Sequence, residues 1–353
     1  MNRILLFSLL ACCCPVTWAA DVASARLDLS NFGYRLPATG AVFADYSDLS
    51  FLSEDLVLIS INQRGFGPVE PTFADTPEST IVVFDVKRGS VTATGKMSVE
   101  KMSGSVQAIR GERFAALNGK GLQFCDATLK CGQPIEARGP MFVSPQGKWV
   151  AVGSNGRSQQ KVIDTESSKQ VAVFEIGNLF QLVIPGDGAF LTSKNQFNDD
   201  SVTIQRPGKQ DARLAIDSRG NFRELRFLNS ESLACLDHDA SEVVITDMDA
   251  KPIRRYKVDK AWRTGFLPTS SGTRFGIYEH GYTALNSLAN LQDIDEGRPQ
   301  DFQRVRAIDI SSGKEVYRLE WDPRPYLTKP VLSPSGHRLA RVRAGSLEVF
   351  QVN

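Results

Sequence analysis

The histidines are the first residues to consider for catalysis, because imidazole titrates near neutral pH. His238 lies between carboxylates in Asp237-His238-Asp239, whereas His280 and His337 are far away in the sequence. The chain contains no GxSxG, HExxH, GxGxxG, CxxC or phosphate-binding loop motif. We therefore expect no catalytic residue, metal ligand or cofactor from linear motifs, and we favour a non-enzymatic protein.

Acidic loops are the next candidates, since clustered carboxylates ligate hard cations. Asn198-Asp199-Asp200 and the segment from Asp293 to Glu296 have this composition. We interpret both segments as solvated polar loops, and a cation site is the alternative.

The cysteines indicate one disulfide. Cys125 and Cys131 flank a short turn between two extended runs, where paired cysteines can meet disulfide geometry. Cys235 is left over and is predicted to be a free, buried thiol. A metal site is the alternative, but three scattered cysteines and three scattered histidines do not form one.

The chain contains an internal repeat, and this repeat predicts the strands that would carry a functional site. Extended runs end in Asp or Gln and are followed by a polar turn, and successive markers lie 41, 38, 41, 42, 62 and 42 residues apart. A period of roughly 40–45 residues is typical of a four-stranded propeller blade. Seven copies predict a seven-bladed β-propeller, and their regular spacing makes the markers turn residues. The markers are Asp85, Asp126, Asp164, Gln205, Asp247, Asp309 and Gln351.

The two ends of the chain support this count. The last repeat ends at Asn353 without a fourth strand, and Ala25–Leu29 is an alternating segment with no preceding strand. Pairing the two would close the ring and protect its edges. We expect residues 1–19 to be a signal peptide and residues 20–353 to form one propeller domain.

Turns of the type Ser144-Pro145-Gln146-Gly147 and Ser333-Pro334-Ser335-Gly336, together with Asp309 to Gly313, resemble those of the WD40 and YVTN-type propeller superfamily. The resemblance covers essentially the whole mature chain. The Gly-His and Trp-Asp dipeptides of standard WD40 repeats are missing, so the tetrad that they build is not expected. The resemblance implies the fold and no particular function.

Two insertions distinguish the repeats. They fall between the second and third strands of blades one and six, at roughly 64–79 and 281–303, on the same face of the ring. Long loops in compact domains are often functional. Phe66 and Phe73 of the first are candidate contacts for a partner, and the second has the leucine spacing of a short amphipathic helix.

The residues that open the innermost strands should surround the channel mouth on that face. They mix cations, amides, carboxylates and one aromatic ring, which suits a polar or anionic ligand or a peptide better than a calcium centre. The candidates are Asp48, Gln107, Gln181, Arg223, Glu224, Trp262, Arg263 and Lys329.

The N-terminus predicts export. Arg3 precedes an apolar run from Ile4 to Cys14, and Thr17-Trp18-Ala19 is a small-x-small cleavage site. The run is too short to span a bilayer, so no transmembrane span is expected. Leu9-Leu10-Ala11-Cys12 resembles a lipobox, which makes lipid anchoring through Cys12 the alternative to free secretion into the periplasm or medium.

The net charge of the chain limits the classes of binding partner. Lys and Arg total 41 against 40 Asp and Glu, a net charge of +1, which argues against nucleic acid. We expect a monomeric, exported propeller that binds a protein or small polar ligand on its loop-rich face. The alternative is a propeller hydrolase or lyase acting on an extracellular polymer or lactone at the channel mouth.

Overall fold

A computed structural model describes residues 22–35, 42–45, 47–66, 78–100, 104–153, 159–175, 183–192, 201–215, 225–237, 240–259, 263–280, 303–321 and 329–352. Apart from a 3-10 helix at Ser30–Phe32, the regular elements within these ranges are β-strands. In chain order they are β1 (Ala25–Asp28), β2 (Val42–Asp45), β3 (Asp48–Phe51), β4 (Leu56–Ile61), β5 (Gln63–Phe66), β6 (Glu78–Asp85), β7 (Ser90–Ser98), β8 (Val106–Ile109), β9 (Arg113–Asn118), β10 (Gly121–Asp126), β11 (Arg138–Val143), β12 (Trp149–Gly153), β13 (Gln159–Asp164), β14 (Gln170–Glu175), β15 (Val183–Pro185), β16 (Phe190–Thr192), β17 (Ser201–Gln205), β18 (Ala212–Ala215), β19 (Arg226–Phe227), β20 (Ser232–Asp237), β21 (Glu242–Asp247), β22 (Pro252–Lys257), β23 (Arg263–Pro268), β24 (Arg274–His280), β25 (Gln303–Asp309), β26 (Glu315–Trp321), β27 (Val331–Leu332), β28 (Arg338–Arg343) and β29 (Ser346–Gln351).

These strands form seven antiparallel sheets, one for each predicted blade. Blade 1 is β3-β4-β6-β7, blade 2 is β8-β9-β10, and blades 3 to 6 are β11–β14, β15–β18, β19–β22 and β23–β26. Blade 7 is β27-β28-β29-β1. A separate ribbon pairs β2 with β5, so the start of the first insertion pairs with the chain that precedes blade 1. The seven-bladed β-propeller is confirmed.

Ring closure follows the prediction. Strand β1 is the outermost strand of blade 7 and pairs with β29, with Ala25 opposite Val349 and Asp28 opposite Ser346. The two ends of the described chain therefore complete one four-stranded blade, in which β1 covers the outer edge of β29.

Blade 2 has three regular strands and a cross-linked segment in the fourth position. Cys125 and Cys131 form a disulfide with an S–S distance of 1.99 Å, and Leu122 and Ile135 exchange two backbone hydrogen bonds of 2.8 Å. These contacts hold residues 129–135 against the outer edge of β10. The predicted disulfide is confirmed, and it stabilises the blade that has no regular fourth strand.

The core lies between the blades. The buried apolar side chains of the described residues form seven clusters, and each joins two consecutive blades. In β4, for example, Val57 and Ile59 pack towards blade 7, while Leu58 packs towards blade 2. A strand buried on both faces needs a continuous apolar run, as in Leu56–Ile61.

The repeated Asp residues stabilise turns, as their spacing predicts. The carboxylate of Asp309 accepts hydrogen bonds from the backbone N–H of Ser312 and from the hydroxyls of Ser311 and Ser312, each at 2.7 Å. These donors lower the pKa of Asp309 to about 2. Backbone N–H groups donate likewise to Asp85, Asp126, Asp164 and Asp247.

The turns between first and second strands hold neighbouring blades together. Asp187 of blade 4 accepts hydrogen bonds from the Ser144 hydroxyl at 2.7 Å and the Gln146 N–H at 2.9 Å, both in blade 3. The Ser335 N–H of blade 7 donates to the Glu54 carboxylate of blade 1. These links lie on the face opposite the insertions.

Candidate functional site

The innermost strands enclose the central channel, which we define as the space bounded by β3, β8, β11, β15, β19, β23 and β27. Each is an edge strand of its sheet. Contacts join β27 to β3, β3 to β8, β8 to β11, β11 to β15, β19 to β23 and β23 to β27. A residue that precedes one of these strands therefore lies near the channel mouth on the loop-rich face.

Lys329 lies in this position, two residues before β27. Its Nζ donates a hydrogen bond of 3.1 Å to the main-chain oxygen of Phe266 in β23. Because β23 is the edge strand of blade 6, this oxygen faces the channel, and the ammonium of blade 7 lies against the wall of blade 6. The structure thus places the predicted candidate Lys329 on the channel wall.

Arg226 is the second cation of the wall. It begins β19 in blade 5, and its Nη1 donates a 2.8 Å hydrogen bond to the Leu225 oxygen. Burial lowers the pKa of Arg226 to about 10. Arg226 is half-buried as a residue, so its side chain is only partly removed from bulk water.

The charge of Arg226 affects the pKa of Lys329. Burial, and secondly the charge of Arg226, lower the pKa of Lys329 to about 7. The residue is nevertheless exposed to solvent as a whole. Protein atoms surround the ammonium group, while other parts of the residue reach solvent.

In blades 1 and 2 the polar side chains of the channel wall are bonded to the backbone. Asp48, a predicted ligand contact, accepts hydrogen bonds from Gly104 N–H at 2.6 Å and Val106 N–H at 2.9 Å, one on each carboxylate oxygen. Gln107 Nε2 donates to the Gly104 and Met141 oxygens at 2.7 and 2.9 Å. Both side chains therefore connect neighbouring blades.

The remaining predicted residues cannot be placed fully. Arg263 begins β23 and Phe66 ends β5, but their side chains lie outside the described part of the structure. Gln181, Arg223, Glu224, Trp262, Phe73 and His238 lie outside the described residues, as does the predicted amphipathic helix. Their ligand contacts stay predictions.

Sequence reasoning missed Arg226. The signal was present, because Arg226 interrupts an apolar run between buried Leu225 and buried Phe227. A long cation inside such a run either pairs locally or reaches a polar space. The candidates named from the sequence, Arg223 and Glu224, precede Arg226 by three and two residues and lie outside the described residues.

Charged groups at the base of the second insertion satisfy one another. Glu279 is fully buried and accepts hydrogen bonds from Arg304 at 2.8 and 2.9 Å and from Arg306 at 3.1 Å. Arg306 also donates to the Lys257 oxygen of blade 5 at 2.9 Å. A buried carboxylate with this many donors fixes two blades together and is not available to a ligand.

A shallow cleft of about 340 Å³ lies on the opposite face, between blades 4 and 5. It is lined by residues of both charges, and Arg206 pairs with Asp249 at 2.6 Å. Two cations, Arg206 and Lys209, and three carboxylates, Glu231, Asp247 and Asp249, line the cleft, so it has no excess of positive charge for an anion. Among the described residues, no group of three His, Cys, Asp or Glu could hold a metal ion.

Comparison with known proteins addresses the fold. No protein-family model matches the chain, and no curated protein matches it. Kluyveromyces lactis Hsv2 is 11% identical over 88% of this chain and 99% of that chain, with a TM-score of 0.46. A streptogramin B lyase structure is 9% identical over 89% of this chain and 98% of that chain, with a TM-score of 0.50. At these identities the likeness bears on the fold alone.

Proposed function

We propose that this protein is an exported, non-enzymatic propeller that binds a small anionic ligand in its central channel, entering from the loop-rich face. The observation that carries the proposal is the placement of Lys329 and Arg226 on the walls of blades 7, 6 and 5. Both residues stand at the start of an inner strand, on the side of the ring that bears the insertions.

The chemistry of this wall favours an anion. Removing a cation from bulk water is costly unless an opposite charge compensates it. Within the described residues, Lys329 contacts a carbonyl oxygen and lies near a second cation. A carboxylate or phosphate bound at Lys329 would supply a negative charge opposite the ammonium, and ammonium and guanidinium groups are the usual ligands of such anions.

The same donor set argues against a divalent cation in this part of the channel. Calcium needs several oxygen ligands with negative charge. The described carboxylate at the channel mouth, Asp48, already accepts two backbone hydrogen bonds. This supports a binder for anions over a calcium-dependent lactonase-like centre.

One observation supports export. Disulfides such as that between Cys125 and Cys131 form in oxidising compartments and are rare in the cytosol. Together with the predicted signal peptide, the disulfide favours the periplasm or the extracellular medium. Among the described residues, no helix is long and apolar enough to cross a membrane.

The direct test is calorimetric titration of the purified protein with inorganic phosphate, acetate and succinate. We expect saturable binding of at least one anion and a rise in Tm, since a ligand at 100 times its Kd stabilises by about 2.7 kcal/mol. The variants Lys329→Met and Arg226→Gln should each weaken binding at least about tenfold, the loss typical of one charged hydrogen bond.

Lys257→Met is the matched control, because Lys257 is an exposed lysine that pairs with Glu242 at 2.9 Å. Its affinity should equal that of the wild type. Absence of saturable binding for all three anions, or equal binding by wild type and Arg226→Gln, would overturn the proposal.

A further inference from the structure

The seam between blades 4 and 5, on the face opposite the insertions, is more open than the seams of blades 2–3, 5–6 and 6–7. In those three seams a turn glycine packs so closely on the preceding blade that a Cβ would overlap its atoms; the glycines are Gly147, Gly272 and Gly336. The turn of blade 5, residues 229–231, contains no glycine. A Cβ on Gly188, in the turn of blade 4, would meet no atom within 4 Å. The cleft of about 340 Å³ occupies the space that a closer contact would fill.

An ion pair crosses this cleft and fixes part of its lining. Arg206 of blade 4 donates through Nη2 to the Asp249 carboxylate of blade 5 at 2.6 Å, and its side chain is only 14% exposed. Asp247 accepts hydrogen bonds from the backbone N–H groups of Asp249 and Lys251, both at 2.9 Å. The carboxylates of Asp247 and Asp249 therefore already have partners within the protein.

Two further charges of the lining have no such partner. Lys209 lies in the turn of blade 4 and Glu231 in the turn of blade 5, and both are exposed. Neither side chain forms an ion pair or a hydrogen bond with another residue in the described part of the chain. Lys209 adds to the positive potential at Asp249, but the hydrogen bond to that carboxylate comes from Arg206. The cleft thus offers an ammonium on one blade and a carboxylate on the next.

Apolar side chains complete the lining. Pro207 and Met248 contribute to it, and Met248 is only 9% exposed. The volume of about 340 Å³ lies at the lower end of the range for small-molecule sites. A small ligand with opposite charges at its two ends and a short apolar body would match this lining.

We propose that the cleft binds a short peptide with free ends, whose carboxylate contacts Lys209 and Arg206 and whose ammonium contacts Glu231. Because the cleft lies on the face opposite the loop-rich one, this inference does not depend on the proposed function. The two contacts belong to different blades, so the ligand must carry its charges at separate ends. A dipeptide does so, whereas a free amino acid holds both charges on one carbon atom. Capture of terminal carboxylates and amines is a recurring mode of peptide recognition.

The test is NMR titration of protein labelled at the methionine methyl groups with the dipeptide Ala-Ala. Met248 lines the cleft, whereas Met97 lies in blade 1 and Met141 in blade 3. We expect a saturable shift of the Met248 signal alone. N-acetylalanine lacks the ammonium and alaninamide lacks the carboxylate, so each should bind at least about threefold more weakly, since one of two exposed ion pairs is lost. Alanine should also bind more weakly. Absence of a saturable Met248 shift, or equal affinity for all four compounds, would overturn the proposal.

Variants test the assigned contacts. Gly188→Leu should weaken Ala-Ala binding at least about tenfold, because the new side chain takes the space of the ligand. Gly119→Leu is its control, since Gly119 of blade 2 also has open space around it and binding should equal that of the wild type. Lys209→Gln and Glu231→Gln should each weaken binding about two- to fivefold, the loss typical of an exposed ion pair. Lys209→Gln should also lose the preference for Ala-Ala over alaninamide, and a preserved preference would overturn the carboxylate contact.

The channel offers a different cation to a carboxylate, and two variants separate the sites. The Met248 shift with Ala-Ala should persist in Lys329→Met and disappear in Gly188→Leu. Binding of acetate in the channel should show the opposite dependence. A Met248 shift that is lost in Lys329→Met and kept in Gly188→Leu would overturn the cleft as the binding site.

Discussion

Ser24 donates both its backbone N–H and its hydroxyl to the main-chain oxygen of Val349, at 2.7 and 3.0 Å, across 325 residues of sequence. The contact continues the pairing of β1 with β29 and extends the closure of blade 7 beyond the strand itself. Leu29, at the other end of β1, is fully buried between blades 7 and 1. Closure of the ring therefore depends on backbone pairing along β1 and on apolar packing, in which Leu29 is the most deeply buried residue of this segment.

Leu29→Ala tests the anchor. We expect it to lower the free energy of unfolding by about 2–4 kcal/mol, the range for removing a buried leucine side chain. Urea denaturation would measure the loss. Val22→Ala is the control, because Val22 precedes the same strand but is 87% exposed and should change stability little. Equal stability of the two variants would contradict a packed closure.

The double variant Cys125→Ala and Cys131→Ala tests the cross-link of blade 2. A disulfide that closes so short a loop stabilises the folded protein by about 2 kcal/mol, because it lowers the entropy of the unfolded chain. The free energy of unfolding of the variant should fall by about that amount. Hydrogen exchange at Leu122 and Ile135 should accelerate, since their paired N–H groups flank the disulfide. Cys235→Ala is the control. Cys235 is a free thiol outside the disulfide, so adding reductant should still lower the stability of this variant. Reductant that leaves the wild type unchanged would contradict this role.

Much of the fold was predictable because it depends on local periodicity. The spacing of Asp85, Asp126, Asp164, Asp247 and Asp309 reflects one turn per blade, and the structure shows those carboxylates bonded within their turns. The unpaired ends of the chain similarly predicted the β1–β29 pair. The three-stranded blade 2 was not predicted, because the disulfide replaces strand pairing that composition alone would suggest.

The channel was less predictable for a physical reason. Sequence identifies polar residues at the start of inner strands, but not which of them the neighbouring backbone uses. Asp48 and Lys329 were equivalent candidates, yet Asp48 satisfies two N–H groups of blade 2 while Lys329 lies beside a cation. That difference arises only when blades far apart in sequence surround one space.

Gly147→Ala tests the contact between the turns of blades 2 and 3. Gly147 has φ +66°, and a Cβ there would overlap the Arg110 nitrogen and approach the Ile109 Cα at 2.8 Å. Gly208 has φ +72° with open space around it. Gly208→Ala should therefore lower the free energy of unfolding by roughly 1 kcal/mol, from backbone strain alone. Gly147→Ala should lower it by about 1–3 kcal/mol more, as expected for overpacking. Urea denaturation of both variants measures the difference, and equal losses would contradict the close approach.

Lys329→Met should stabilise the ligand-free protein. The folded pKa of Lys329, about 7, lies below its unfolded value, so the cost of the buried charge is complete below pH 7. It declines as pH rises from about 7 towards 10, where the unfolded chain also loses the proton. The Tm of the variant should therefore exceed that of the wild type at pH 6 and approach it above pH 9. A constant difference across this range would show that the Lys329 charge is not responsible.

Anion affinity should depend on the protonation of Lys329. The protonated form attracts the ligand, so binding should be tightest below pH 7 and weaken by up to about tenfold per pH unit as the free amine loses its proton. Near pH 8, binding should draw a proton from the buffer, because the bound anion raises the pKa of Lys329 again. Titration in buffers of different ionisation enthalpy would reveal that proton. Lys329→Arg keeps its charge over this range and should bind without the pH dependence. If the wild type and Lys329→Arg lost affinity in parallel between pH 6 and pH 9, the titrating group would belong to another part of the channel.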